Sequence, residues 1–320
     1  MAKEFIFFTD THYYLNQARS MVSITGLTSW FNTQLKITKS IFEYAKNYNV
    51  KNIIIGGDIF EEKDRIPSLL YNAVWAYYES ISKKFNIYFN LGNHDIFMVS
   101  GQTSLRPFTN IVNVVMNKSI IDIDGCKVGF IPFKYNNAPK FDKPIDVCVT
   151  HAVVEGMTGG KRLKENISLA NLRQYPLVLN GHIHTYQALD NVVNLGSFMR
   201  HDFSEAQDPK YFLHYKDGDY ELVPIQCPDF FTFDYKQKLE SEVLTDTYNF
   251  FRLNVPPSQA NLEIFKRFNV SRNLIDEVKT EVRMESFLTE EEEIVKYIEY
   301  SGTKLDKERL IKTGLELIGV

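Results

Sequence analysis

Seven apolar, β-rich runs punctuate the first two thirds of the chain, and most of them end on polar residues of one chemical kind. The runs are "EFIFFT", "NIIIGG", "IYFNLG", "CKVGFIPF", "DVCVT", "PLVLNG" and "NVVNLG". Near-continuous apolar strands are buried on both faces, so they belong to a sheet covered on each side. Between them the period turns helical. Phe31, Leu35, Ile41, Phe42 and Ala45 mark one amphipathic helix, and Leu69, Leu70, Ala73, Val74, Tyr77 and Ile81 mark another behind Pro67 and Ser68. Strands alternating with helices predict an α/β core. "KYFLHYKDGDYELVPI" then reads as a hairpin turned at Asp217 and Gly218.

The residues that follow these strands carry the chemistry. Asp10 and His12 follow the first, Asp58 the second, and Asn93, His94 and Asp95 the third. His151 follows "DVCVT", and His182 with His184 follow "PLVLNG". Taken alone, "GNHD" could be no more than a turn, because Gly, Asn and Asp each favour one for local backbone reasons. In α/β sheets, however, ligand-binding groups gather outside the carboxyl ends of the strands, so all these side chains can meet in one crevice. Five of the seven histidines lie in this set, an ordering that scattered structural histidines would not show. His201 and His214 fall outside it and read as ordinary surface or loop residues.

Imidazole and carboxylate without thiolate suit manganese, iron or zinc. The i, i+2 spacing of Asp10 with His12, and of His182 with His184, puts each pair on one side of an extended segment. With Asp58, Asn93 and His151 they make a donor set too large for one tetrahedral ion and suited to two. Two dications outweigh the carboxylates of Asp10 and Asp58 plus a bridging hydroxide, so the residual positive charge favours an anionic substrate such as a phosphodiester. The cysteines Cys126, Cys148 and Cys227 are far apart and show no CxxC spacing, and they read as reduced core residues.

"DTH" at 10–12, "GDIF" at 57–60, "GNHD" at 92–95, "THA" around His151 and "GHIH" at 181–184 resemble, in order, the five motifs of the calcineurin-like metallophosphoesterases. The pairing of "GDIF" with "GNHD", and the tail of the chain, look most like the nuclease subunit of SbcD and MRE double-strand-break repair complexes, including phage recombination endonucleases. The motif resemblance covers about residues 1–225. It implies a metallophosphoesterase β-sandwich flanked by helices, with a small α/β cap and a helical C-terminal tail. By the same resemblance Asp10, His12 and His184 serve one ion, Asn93, His151 and His182 the other, and Asp58 bridges them; manganese is the expected metal. His94 would face the substrate and Asp95 would orient it. Many cellular relatives carry a histidine just after "GDxF", where this chain has Glu61.

The implied reaction is hydrolysis of a DNA phosphodiester by hydroxide held on a dinuclear metal site, as exonuclease or endonuclease, in recombination and double-strand-break processing. The implied partners are DNA, an SbcC-like coiled-coil ATPase and a second copy of the chain. A net charge of −4 means that any contact with DNA needs a local basic patch. The segment "EGMTGGKRLKEN", with Lys161, Arg162 and Lys164, is the candidate, backed by Arg19, Lys134 and Lys140. Three other readings compete, one of them a single-metal hydrolase of unrelated fold, which would not need Asn93 or Asp58 in this order. A protein or small-nucleotide phosphatase of the same superfamily would use the same metals, and a non-catalytic scaffold on the same fold would lack several of these ligands.

The organisation is read as a nuclease domain over 1–227, a cap over 228–286 and a helical tail over 287–320. In the cap, "NFFRLNV", "SQANLEIFKRF" with Ser258 as N-cap, and alternating Val278, Thr280, Val282 and Met284 predict a strand–helix–strand unit. In the tail, Thr289 with Glu292 forms a capping box before Ile294, Val295 and Ile298, and Asp306 opens a helix carrying Leu310, Ile311, Leu315, Leu317 and Ile318. No apolar run reaches the roughly 20 residues of a membrane helix, and the start is too polar for a signal peptide. The expectation is a cytoplasmic protein with no membrane contact.

Overall fold

The computed structural model describes residues 2–97, 102–135, 140–159, 167–234, 245–261, 263–275, 294–295, 298–299 and 306–318. β1 (Glu4–Phe8), β2 (Asn52–Ile55), β3 (Asn86–Phe89) and β4 (Asn113–Val114) run parallel to one another in that order. Parallel neighbours need crossover connections, supplied here by α1 (Ser29–Asn47) and α2 (Ser68–Ser82). Thr28 caps α1 by accepting a hydrogen bond from the Phe31 N–H. Trp30, Phe31, Ile37, Ile41, Phe42 and Ala45 form its buried face. The buried face of α2 is narrower than its apolar residues suggest: Leu70, Val74 and Tyr78 are buried, whereas Leu69 is exposed.

The second sheet begins with a hairpin of β5 (Ser119–Ile123) and β6 (Cys126–Ile131), turned at Asp124 and Gly125, both at positive φ. β7 (Val147–His151) and β8 (Val178–Gly181) follow in parallel with β6, with α3 (Leu169–Leu172) between them. β9 (Gln187–Leu189) and β10 (Val192–Asn194) complete the sheet in the order β5-β6-β7-β8-β10-β9. The chain then returns to the first sheet. β11 (Tyr211–Lys216) pairs antiparallel with β1, and β12 (Asp219–Pro224) with β11, giving the order β12-β11-β1-β2-β3-β4. The hairpin turns at Asp217 and Gly218, with φ of 49° and 104°, the double positive φ that a two-residue primed turn requires.

Phe5, Phe7, Ile53 and Ile55 of the first sheet share one core with Val128, Phe130, Val149 and Leu179 of the second. Two sheets therefore pack over a common interior with helices on their flanks. Cys126, Cys148 and Cys227 are buried free thiols. His214 is no loop residue: it lies in β11, with Nε2 2.9 Å from Glu4 Oε1 and Nδ1 3.2 Å from the Tyr44 hydroxyl.

The boundary read at 228 falls just before a third, parallel sheet of β13 (Phe230–Asp234), β14 (Phe250–Val255) and β15 (Val270–Leu274). Phe230 and Phe250 stack on each other 5.0 Å apart and join the main core. Residues 1–274 form one compact unit and 275–320 another. The helix expected over "SQANLEIFKRF" is two 3-10 turns, Pro257–Gln259 and Glu263–Lys266, and Pro256 stands at the cap position read for Ser258. The strand read at 278–284 and the capping box of Thr289 and Glu292 lie outside the described residues. In the second unit, α4 (Lys307–Ile318) starts at Asp306, whose carboxylate accepts from the Arg309 N–H at 3.2 Å.

Candidate metal centre

All five strand ends deliver their side chains to one place. Asp10, His12 and His184 lie with donor atoms within 4.8 Å of one another, and so do Asp58, His151 and His182. Asp58 reaches toward both groups, its Oδ2 being 3.2 Å from His151 Nε2 and 3.6 Å from His12 Nε2. Asn93 Oδ1 stands 3.3 Å from His151 Nε2 and 2.6 Å from His182 Nδ1. A third grouping of His12, Glu61 and His94 adjoins the first. There Glu61 Oε2 lies 2.8 Å from His12 Nδ1 but off its N–H axis.

The backbone is strained to achieve this. Asp10, His12, Asp58 and His182 have φ of 54°, 42°, 53° and 91°. Non-glycine residues seldom occupy this region, and clusters of such residues mark functional sites. The glycines of the motifs make room for the turns. A Cβ on Gly92 would fall 2.1 Å from Asp58 Oδ1, and one on Gly181 would fall 2.3 Å from Thr9 Oγ1 and 2.8 Å from Asp10 Oδ2.

Two buried carboxylates this close need compensating positive charge. Burial alone would raise Asp10 and Asp58, but the imidazoles around them, His151 foremost, hold both below the usual carboxylate range. Burial would lower His151, yet the carboxylates of Asp58 and Asp10 raise it to about 9. His182 is lowered to about 4 by burial and the neighbouring His151. The donor set of imidazole nitrogens, carboxylate oxygens and one amide oxygen, with no thiolate, fits divalent metal ions.

Asp95 does not orient His94. It is buried and accepts from three backbone N–H groups, those of Asp58 at 2.7 Å, Gly92 at 2.9 Å and Ile59 at 3.0 Å. Burial and the Asp58 carboxylate push its own carboxyl up to about 7. The His94 ring is set by the Glu61 carbonyl oxygen, 2.5 Å from Nδ1. That contact makes Nδ1 the donor and leaves Nε2 for another partner.

Four residues escaped the sequence reading. His201 is not a surface residue. Its ring lies 5.3 Å from those of both His12 and His184, and burial lowers it to about 3. Glu205 Oε1 accepts from His184 Nδ1 at 2.8 Å, while its Oε2 meets Lys210 Nζ at 2.6 Å and Ser197 Oγ at 2.9 Å. The signal was present: Ser197, His201 and Glu205 follow "NVVNLG", the β10 run, as the other polar groups follow theirs.

The basic candidates divide. Arg19 is committed to packing, with its guanidinium 5.5 Å from the Phe203 ring centre and donating to the His201 carbonyl. Lys134 is exposed beside Phe133, whose ring is 5.9 Å from that of His182. Lys140 is exposed too. Lys161, Arg162 and Lys164 lie outside the described residues.

Strained loops at the carboxyl ends of parallel strands, carrying histidine and aspartate clusters, define a metal-dependent hydrolase. The chain belongs to the calcineurin-like phosphoesterase family, whose model matches residues 3–186. No curated protein matches the sequence. Among the described residues no helix is long and apolar enough to cross a membrane.

Proposed function

We propose that this phosphoesterase is a DNA nuclease in which Asp10, His12 and His184 hold one divalent ion, Asn93, His151 and His182 a second, and Asp58 both. Manganese is the metal this reading favours. When bound, the ions supply Lewis acidity toward the phosphoryl oxygens and acidify the attacking water. The protein's own contribution is positional. Asp58 keeps the two groups in register, and the Asp95 carboxylate clamps the loops that carry Asp58 and Gly92. His94, with its Nδ1–H committed to the Glu61 carbonyl, carries a proton on Nε2 when the ring is the imidazolium, and in that form donates it to the departing 3′ oxygen. Such general acid catalysis is worth about 10²–10⁴-fold.

The observation that carries the reading is His94 beside a carboxylate-bridged pair of histidine groups, its ring 4.8 Å from that of His12. The pairing of "GDIF" with "GNHD", which resembles SbcD and MRE nucleases, favours DNA over a phosphoprotein or small nucleotide. Under this reading the chain works in recombination and break processing as a homodimer with an SbcC-like ATPase, docked through the helical tail that includes α4. The discriminating experiment compares end-labelled linear DNA, bis-p-nitrophenyl phosphate and p-nitrophenyl phosphate in manganese. Cleavage of DNA and the diester supports the proposal, and hydrolysis of the monoester alone overturns it in favour of a phosphatase.

A further inference from the structure

The two groups of candidate ligands are backed differently. His184 Nδ1 donates to Glu205 Oε1 at 2.8 Å, which turns its Nε2 toward His12 Nε2 at 3.2 Å and Asp10 Oδ1 at 3.9 Å. Glu205 cannot swing away. Its second oxygen is held by Lys210 Nζ at 2.6 Å, and the same ammonium group donates to the His184 carbonyl at 2.9 Å. The Lys210 side chain is fully buried and that of Glu205 only 7 % exposed, so the pair is shielded from water and from salt. A second carboxylate, Glu61, stands 2.8 Å from His12 Nδ1 on this same group. In the other group, the backing of His151 is the neutral Gly56 carbonyl, 3.1 Å from Nδ1, while the Asn93 amide oxygen that His182 Nδ1 faces is itself one of the candidate ligands.

We propose that Glu205, locked by Lys210, is a positioning residue that makes the Asp10, His12 and His184 group the tighter of two cation positions, so that the two ions load in sequence. A carboxylate that accepts from an imidazole fixes the tautomer and ring orientation and raises the basicity of the coordinating nitrogen more than a neutral carbonyl does. Outer partners of this kind carry about 10–100-fold in metal affinity. The inference rests on the reading of both groups as metal positions. It adds an order of filling and the residues responsible for it.

The test is calorimetric titration of chelator-stripped full-length protein with Mn²⁺, with thermal unfolding in chelator measured in parallel. The wild type is expected to bind two ions in separated steps, and Asn93→Ala to weaken the later one. Glu205→Gln should weaken the earlier step by about 10–100-fold and leave the later step in place. Because Glu205→Gln leaves Lys210 buried without its counter-charge, Glu205→Gln/Lys210→Met is measured beside it; a recovered melting temperature with the early step still weakened separates positioning from stability. Two equal steps in the wild type, an unchanged early step in Glu205→Gln, or full recovery of that step in the double variant would overturn the proposal. A wild type that takes up no Mn²⁺ contradicts the underlying metal reading instead.

Discussion

The Asp95 carboxylate binds the backbone of Asp58, its Oδ2 accepting from the Asp58 N–H at 2.7 Å. The same oxygen takes the Gly92 N–H at 2.9 Å, and Oδ1 takes that of Ile59 at 3.0 Å. One buried side chain thus joins the β2 and β3 loops and holds Asp58 at its positive φ. Asp95→Asn keeps the shape but turns one acceptor into a donor facing a backbone N–H. Leaving such groups unpaired costs about 1–3 kcal/mol, so a denaturant midpoint lowered accordingly is expected, together with weaker Mn²⁺ uptake. An Asn variant as stable as the wild type would remove the clamp from the account.

His94 and the clamp make separable predictions. His94→Ala deletes the side chain that the Glu61 carbonyl orients, while the two groups that share Asp58 stay complete. Turnover on DNA should fall by about 10²–10⁴-fold, with Mn²⁺ content and DNA affinity nearly unchanged. Equilibrium dialysis of the variant checks this, and loss of an ion would make His94 a ligand instead.

Acid should unfold the metal-stripped protein partly through His201. Burial lowers its folded value to about 3 from the ordinary 6.5 of a histidine. Above 6.5 the ring is neutral in both states. As pH falls from 6.5 toward 3 the unfolded chain binds a proton that the folded chain refuses, so stability declines with decreasing pH. His182, lowered to about 4, acts in the same direction, whereas His151, raised to about 9, contributes stability below 6.5 that is lost as pH rises through 9. In chelator, His201→Phe should flatten the acid limb of a plot of denaturant midpoint against pH. A limb as steep as that of the wild type would contradict the assignment.

Much of this architecture was legible because strand ends and chemistry coincide. The seven apolar runs are strands, and Asp10, His12, Asp58, Asn93, His151, His182 and His184 converge as their positions after those strands implied. The β5 strand went unread although "DIDGCK" carries an Asp-Gly turn signal. What stayed hidden depends on tertiary distance. Glu205 and Lys210 matter only because the segment joining β10 to β11 passes beside His184. The face of α2 was misjudged because Leu69 and Leu70 are equally apolar and only packing against the sheet decides which is buried. The role of Asp95 was misplaced because adjacency to His94 in sequence is not adjacency of their polar atoms.

For the tail, the proposed docking of a helical segment on an ATPase leads to a truncation. A short helix such as α4 is marginal alone and needs a surface for its apolar face. A chain ended after residue 286 should remain folded and cleave short DNA in manganese, yet fail to copurify with an SbcC-like ATPase. Retained copurification would remove the docking role, and so would a truncated chain that does not fold.

The central claim is that Asp58 joins two cation positions, and electron paramagnetic resonance of the Mn²⁺-loaded protein tests it most directly. The account predicts two ions per chain with an exchange-coupled spectrum, and loss of the coupling in Asp58→Asn. A wild-type protein saturated by one uncoupled Mn²⁺ would contradict it.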